Sequence, residues 1–400
     1  MTRFLGLPLR LAVAGALSYG VLESAACLLR PPLLPFGPDT HWVEATPYLS
    51  GSMNFEILTN NYGFRNNADF AFPLKKRGPH VLLIGDSMMF GGPNTRTIDV
   101  YLSSLLPGHV IFNGSSPGAG PEFYHDMLEE YVERLKADYT FVGLFLGNDF
   151  TGPLPTQRAA PRFRLIQTAK RVFPNTLSLM QRISVKRGSR NGRETVEPID
   201  SKALQDQTIE EVRMLARGLS LDESSYVALA QRYDFSGLLS RYPSLAYSKC
   251  AQVVAYAIIY RKDLADTILL RNPNALQNYM TALRHVQATQ AYASRHGRGD
   301  RLVFVLFPIS FMMHDDYSTF YRELGYAIPP SAVHYPLYDR LRRDLQEGGY
   351  RVLDLHQALR ARPVFFREDW HLNEEGNYLV AAEIAHALAA LRSARPLASP

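Results

Sequence analysis

Five short, strand-like runs of largely continuous apolar character mark the chain, at 80–85 (HVLLIG), 109–113 (HVIFN), 139–146 (YTFVGLFL), 301–307 (RLVFVLF) and 350–355 (YRVLDL). Unbroken rather than alternating hydrophobicity belongs to strands covered on both faces, as in a parallel sheet between helices. Helical periodicity lies between or after several of them, at 121–137, 335–348 and 374–393. Strand–helix alternation joined by right-handed crossovers predicts an α/β fold, a doubly wound and mainly parallel five-stranded sheet.

The alternation breaks between 152 and 298. Helical patterns at 207–217, 248–269 and 274–295 fill this stretch without a convincing strand. It also holds a basic, loop-like piece, Lys186-Arg187-Gly188-Ser189-Arg190-Asn191-Gly192-Arg193. The expectation is a helical insertion, a lid or accessory part, between the third and fourth strands. The basic piece reads as a solvated loop or as a contact for anionic polysaccharide or lipid headgroups. Upstream, residues 31–78 carry Pro31, Pro32, Pro35 and Pro38, then Asn60-Asn61-Tyr62-Gly63-Phe64-Arg65. They read as an irregular lead-in that wraps the main domain, itself expected over 79–151 and 299–394.

The first thirty residues read as an address. Arg3 and Arg10 precede an apolar run from Leu11 to Leu29, broken only by Glu23 and closed by Arg30-Pro31-Pro32. A run of this length can just cross a hydrocarbon core of about 30 Å as a helix. Arginines on its N-terminal side favour export of the remainder of the chain. The expectation is a signal anchor that ties the chain to a membrane. A cleaved signal peptide, with Ser24-Ala25-Ala26 before the cut, and a buried helix are the alternatives.

Composition narrows the classes. With 46% apolar and 20% charged residues, whole-chain disorder is excluded. Cys27 and Cys250 cannot make a disulfide framework, and no CxxC or Cys/His cluster suggests structural zinc. The formal net charge of +5 permits an acidic partner without implying one. Gly91-Gly92 and the glycines of 114–120 lack the spacing and the lysine of a phosphate loop. No cofactor, metal or nucleic acid is therefore expected.

Candidate chemistry gathers where strands end. Ile84-Gly85-Asp86-Ser87 follows the first strand. The second ends in Asn113-Gly114-Ser115-Ser116-Pro117-Gly118-Ala119-Gly120 and the third in Gly147-Asn148-Asp149, while Asp369-Trp370-His371-Leu372-Asn373 precedes the last helix. Carboxyl ends of strands in open α/β sheets are where such folds build sites. A serine needs a base to become a nucleophile, the base needs an acid to fix its tautomer, and the oxyanion of acyl transfer needs donors aimed at it.

This set resembles the SGNH (GDSL-type) hydrolase family, over about 60–390 apart from the helical insertion. Asn61-Tyr62-Gly63-Phe64-Arg65 and Asp369-x-His371-Leu372-Asn373-x-x-Gly376 are similar to segments of its membrane-anchored bacterial members, among which are the alginate acetylation proteins. The resemblance implies an SGNH/flavodoxin-like sheet, Ser87 as nucleophile, His371 as base and Asp369 as orienting acid. It also implies an oxyanion hole from Ser87, Gly118 and Asn148, with Gly114 as the rival to Gly118. Many members place the acid three residues before the histidine, where this chain has Glu368, so Glu368 is the rival acid. A Ser–His dyad without an acid is the third possibility.

The remaining residues have plainer readings. Asp86 is expected to brace its turn and Asp149 to cap the segment after it. Met88, Met89 and Phe90 are expected to pack, with contact to an acyl chain as the alternative. Arg65 is expected to form an ion pair, and His314 with Asp315 and Asp316 to lie in a loop, with lining of the site as the alternative. Trp370 reads as a wedge or as a platform for a sugar ring.

The function expected is an exported serine esterase or O-acyltransferase working through an acyl-serine. The resemblance points to an acetylated exopolysaccharide or cell-envelope glycan as substrate. A lipid esterase or phospholipase is the alternative in the same chemistry, and a catalytically silent binding component of a polysaccharide assembly complex is the alternative outside it. The location implied is a bacterial envelope, with the catalytic part outside the cytoplasm on an inner-membrane anchor, or periplasmic or secreted after cleavage.

Overall fold

The computed structural model describes residues 18–22, 24–25, 32–45, 54–151, 191–194, 198–246, 250–271, 273–329, 335–360, 362–367 and 369–393. Its centre is a five-stranded parallel sheet of β3 (His80–Ile84), β4 (Val110–Asn113), β5 (Tyr139–Phe145), β7 (Leu302–Phe307) and β8 (Val352–Asp354), in the order β4-β3-β5-β7-β8. Register runs from Val81 opposite Ile111 and Tyr139 to Phe145 opposite Phe307. Strands β3, β5 and β7 are buried along their whole length, the reason their sequences show no alternation.

Helices cover both faces. The chain leaves β3 through α1 (Ser87–Phe90) and α2 (Ile98–Leu105), and crosses from β4 to β5 through α3 (Pro121–Tyr131). Between β5 and β7 stand α4 (Ser201–Gly218), α5 (Glu223–Ala230), α6 (Phe235–Arg241), α7 (Cys250–Ile268) and α8 (Pro273–Arg295). After β7 come α9 (Asp315–Glu323) and α10 (Pro336–Glu347), and after β8 come α11 (His356–Arg360) and α12 (Glu374–Ser393). Helix α2 packs on α12, and α3 packs on α8. The path first moves outward from β3 to β4 and then returns across β3 to β5. Right-handed crossovers in opposite directions place helices on opposite faces, and the reversal at β3 opens a crevice at the carboxyl ends.

Two expectations need correcting. The lead-in is not wholly irregular: β1 (His41–Ala45) and β2 (Asn54–Leu58) form an antiparallel pair. The basic piece is not all loop, because β6 (Asn191–Glu194) adds to β1 in parallel, with Val43 opposite Arg193. The four residues Asn-Gly-Arg-Glu have little strand preference of their own, so the pairing with β1 makes the strand. Residues 186–190 lie outside the described ones, as does most of the N-terminal run. Among the described residues no helix is long and apolar enough to cross a membrane.

Candidate active site

The turn after β3 is built around Asp86. Its carboxylate Oδ1 accepts the N–H of Met88 at 2.9 Å and so caps α1, while Oδ2 accepts Asn148 Nδ2 at 2.9 Å. Gly85 is required before it, since a Cβ there would stand 2.6 Å from Met89 Cβ. Ser87, the next residue, opens the helix, and its own N–H has no helical carbonyl to meet. Met88, Met89 and Phe90 are buried, as expected of packing residues.

Ser87 Oγ lies 2.8 Å from His371 Nε2. On the other side of the ring, Nδ1 is 2.9 and 2.8 Å from the two carboxylate oxygens of Asp369. The Asp369 carboxylate can only accept, so the proton sits on Nδ1 and leaves Nε2 free to receive that of Ser87. A dyad without an acid is therefore not what the chain builds. Glu368 lies outside the described residues. Burial of the His371 ring favours its neutral form, but the charge and hydrogen bond of Asp369, helped by the charge of Asp86, outweigh this and raise its pKa.

The rest of the Asp369–Gly376 motif is structural. Leu372 is buried, Asn373 Oδ1 caps α12 by accepting the N–H of Gly376 at 2.9 Å, and a Cβ on Gly376 would stand 2.4 Å from Val364 O. Trp370 stacks parallel to Tyr321 at 6.3 Å and meets Phe145 edge-on at 6.1 Å, so it wedges the motif against core aromatics.

The two candidate glycines separate clearly. Gly114 donates its N–H to Leu83 O at 2.9 Å, and a Cβ there would lie 2.8 Å from Met127 Cε and 2.9 Å from Phe64 Cε1. Its amide is spent on the strand end and its missing side chain on packing. Gly118 has φ +73°, is exposed, and has nothing within 4 Å of a Cβ. It sits in a turn closed by the N–H of Ala119 on Ser116 O at 3.0 Å, and its own N–H has no partner among the described residues.

Asn148 follows β5. One hydrogen of its Nδ2 goes to Asp86, which leaves the second to donate elsewhere, and its Oδ1 is buried without a partner. Burial raises the Asp86 pKa to about 6, against the opposing effects of Met88 N–H, His371 and Asn148. Asp149 does not cap the segment beyond it. It reaches back to accept the N–H of Phe145 at 2.8 Å and the Tyr124 hydroxyl at 2.7 Å. Burial, then the charge of Asp86, push its carboxyl well above the ordinary range.

Other expectations fall away from this centre. His314 is exposed, with Nδ1 3.9 Å from Asp316 Oδ2, and Asp315 and Asp316 are not in a loop but open α9, where acidic side chains suit the helix N-terminus. Arg65 has no carboxylate within ion-pair distance among the described residues; its guanidinium meets backbone carbonyls instead. Sequence reasoning missed Asn94, whose buried Nδ2 donates to Gly91 O and Leu372 O at 2.8 Å each. An asparagine two residues beyond Gly91-Gly92 was the only trace it left. Among the described residues no group of three or more His, Cys, Asp or Glu is placed to hold a metal.

Residues 265–398 match the family described as SGNH hydrolase-like domain, acetyltransferase AlgX. That match covers about a third of the chain and contains Asp369 and His371, while Ser87 and Asn148 lie before it. It supports the resemblance to SGNH proteins and to an acetyltransferase family among them. Among solved structures, the chain is similar to a protein from Desulfitobacterium hafniense DCB-2 described as lipolytic and of the G-D-S-L family. Identity there is 10%, over 77% of this chain and 99% of the other, with a TM-score of 0.35. It is also similar to BT4096, a gut microbial diltiazem-metabolizing enzyme, at 16% identity over 43% and 41% of the two chains and a TM-score of 0.17. Both scores are below 0.5, and the fold rests on the sheet itself. None of the curated proteins matches the sequence.

Proposed function

We propose that this chain is a serine acyl-transfer enzyme, an esterase or O-acetyltransferase, acting on an acetylated polysaccharide. The observation that carries the reading is the line Ser87 Oγ, His371 Nε2 at 2.8 Å and His371 Nδ1, Asp369 Oδ2 at 2.8 Å. The match to the AlgX acetyltransferase family supports the polysaccharide.

The chemistry is derived from the atoms in place. Ser87 Oγ attacks the ester carbonyl carbon as its proton passes to His371 Nε2. The carbonyl π electrons move to oxygen, and the N–H groups of Ser87 and Gly118 with the free Nδ2 hydrogen of Asn148 receive that charge. The intermediate collapses, the sugar oxygen leaves with the proton from His371, and Ser87 holds the acyl group. An acceptor hydroxyl then gives its proton to His371 and attacks the acyl carbon. As this second intermediate collapses, the C–O bond to Ser87 breaks and His371 returns the proton to Ser87 Oγ. Water as acceptor makes an esterase, and a second sugar hydroxyl makes a transferase. We place this chemistry outside the cytoplasm, a reading supported by Arg3, Arg10 and the apolar run Leu11 to Leu29.

The experiment is acetate release from an activated acetyl ester, comparing the wild-type chain with Ser87→Ala, alongside labelling of Ser87 by a serine-reactive phosphonate. Release and labelling that both vanish with Ser87 support the reading. A folded wild type that neither releases acetate nor takes the label overturns it.

A further inference from the structure

The segment Asn60-Asn61-Tyr62-Gly63-Phe64-Arg65 takes no part in the proposed acyl chemistry, yet it forms a closely built turn. Asn60 Oδ1 accepts the N–H groups of Tyr62 and Phe64 at 2.9 and 3.0 Å, and the Asn60 N–H donates to Phe64 O at 3.1 Å. Gly63 adopts φ +75°, and a Cβ there would stand 2.2 Å from Phe36 O, so the position admits no side chain. The turn sends its last two side chains apart. Phe64 packs edge-on against Tyr131 at 4.9 Å, and Arg65 goes fully buried beneath the helix that begins with Ser87.

A buried arginine ordinarily faces a carboxylate. This one faces carbonyl oxygens. Nη1 donates to Phe90 O at 2.7 Å and Gly92 O at 3.3 Å, and Nη2 donates to Asn94 O at 2.9 Å and Glu56 O at 3.2 Å. The guanidinium carbon lies 4.3 Å over the Phe90 ring. Three of the four acceptors belong to the stretch that leaves the Ser87 helix. His371 rests on that same stretch: a Cβ on Gly92 would lie 3.2 Å from both Cβ and Cδ2 of His371. Asn94 then holds the backbone beside His371, through its bond to Leu372 O at 2.8 Å.

We infer that Arg65 is a positioning residue for acyl transfer: by fixing the carbonyls of Phe90, Gly92 and Asn94, its guanidinium sets how His371 stands to Ser87. The inference rests on the reading of those two residues as base and nucleophile. Lysine cannot replace it, since one ammonium offers three donors from a point where four carbonyls need a planar fork.

The test uses the full chain with Arg65→Lys, Asn94→Ala and the double variant. Thermal melting is measured, together with kcat and KM per phosphonate-titrated Ser87 and the imidazole 15N signals of His371. Each single variant is expected to lower kcat by about tenfold to 10²-fold with little change in KM, the scale of a small misplacement of reacting groups. The His371 signals should move, and the double variant should be no slower than the poorer single, because both substitutions cut one connection.

Unchanged kcat per titrated site in the folded variants, or additive losses with His371 signals in the wild-type place, would overturn the inference. If Arg65→Lys does not fold, Asn94→Ala decides, since it leaves the guanidinium contacts intact and cuts only the links to Leu372 and Gly91. A wild type that is inert to ester and phosphonate alike would sink the acyl-transfer reading. The His371 signals would still report whether Arg65 sets the ring.

Discussion

Asp86 Oδ2 holds Asn148 Nδ2 at 2.9 Å, and so joins the turn that presents Ser87 to the end of the neighbouring strand. One carboxylate thereby caps the Ser87 helix and holds Asn148, the proposed oxyanion donor. Asp86→Asn keeps an oxygen for Met88 but turns an amide group toward an amide group, and Asn148 must rotate. The expected result is a kcat lower by about 10²-fold, approaching the cost of one lost oxyanion donor, with KM changed far less. Steady-state kinetics on an acetyl ester check this; a kcat within twofold of wild type would mean that the orientation Asp86 gives Asn148 does not serve the oxyanion.

The same carboxylate makes stability depend on pH. Its folded pKa is about 6, above its unfolded value, because burial disfavours the charge. The native state therefore keeps a proton that the unfolded chain has already lost. Stability from this group is complete at low pH and declines as pH rises from about 4 to about 6, by roughly 3 kcal/mol. Denaturant unfolding of wild type and Asp86→Asn across that window should show the gap moving in favour of the variant and levelling above about pH 6. A gap that stays flat would mean that Asp86 ionises freely in the folded protein.

How much of this is legible in the sequence depends on what the partner of each group is. The five sheet strands and the last helix at 374–393 can be read because continuous apolar runs and helical spacing are written in side chains. Ser87 is legible as a serine placed at a strand end, and Asp369 and His371 as a motif just before the last helix, read together through the family resemblance. Strand β6 is not, because Asn-Gly-Arg-Glu becomes a strand only by lying beside β1. Arg65 reads as half of an ion pair because backbone carbonyls leave no mark in a sequence. Asp149 reads as facing forward, although its partners Phe145 and Tyr124 both precede it. Helix α9 escapes the sequence reading because its nine residues carry too few turns to assert a period.

Two glycines compete for one role, and substitution separates them. Gly114→Ala forces a methyl against Met127 and Phe64, so it should cost about 1–3 kcal/mol in stability while the folded fraction keeps its kcat. Gly118→Ala meets open space but leaves a left-handed residue strained by about 1–2 kcal/mol, and relief of that strain turns the N–H. Here kcat per titrated Ser87 should fall while KM holds. The reverse pattern would hand the oxyanion role to Gly114.

The last prediction concerns the base. Burial works against the charged form of His371, yet Asp369, with help from Asp86, raises its pKa above the usual imidazole value. Since only neutral His371 can take the proton of Ser87, activity should climb with pH along a limb whose midpoint lies above that value. Asp369→Asn removes the main raising influence and allows the wrong tautomer, with Nδ1 bare and the proton on Nε2 facing Ser87. The limb should shift to lower pH while kcat drops on the order of 10⁴-fold, the scale set by loss of tautomer control in serine triads. The two effects have separate origins, so they are read separately from a full pH–kcat profile. A limb that stays in place as kcat falls would assign the raised pKa to Asp86 rather than Asp369. A variant retaining full kcat would remove Asp369 from the proposed triad.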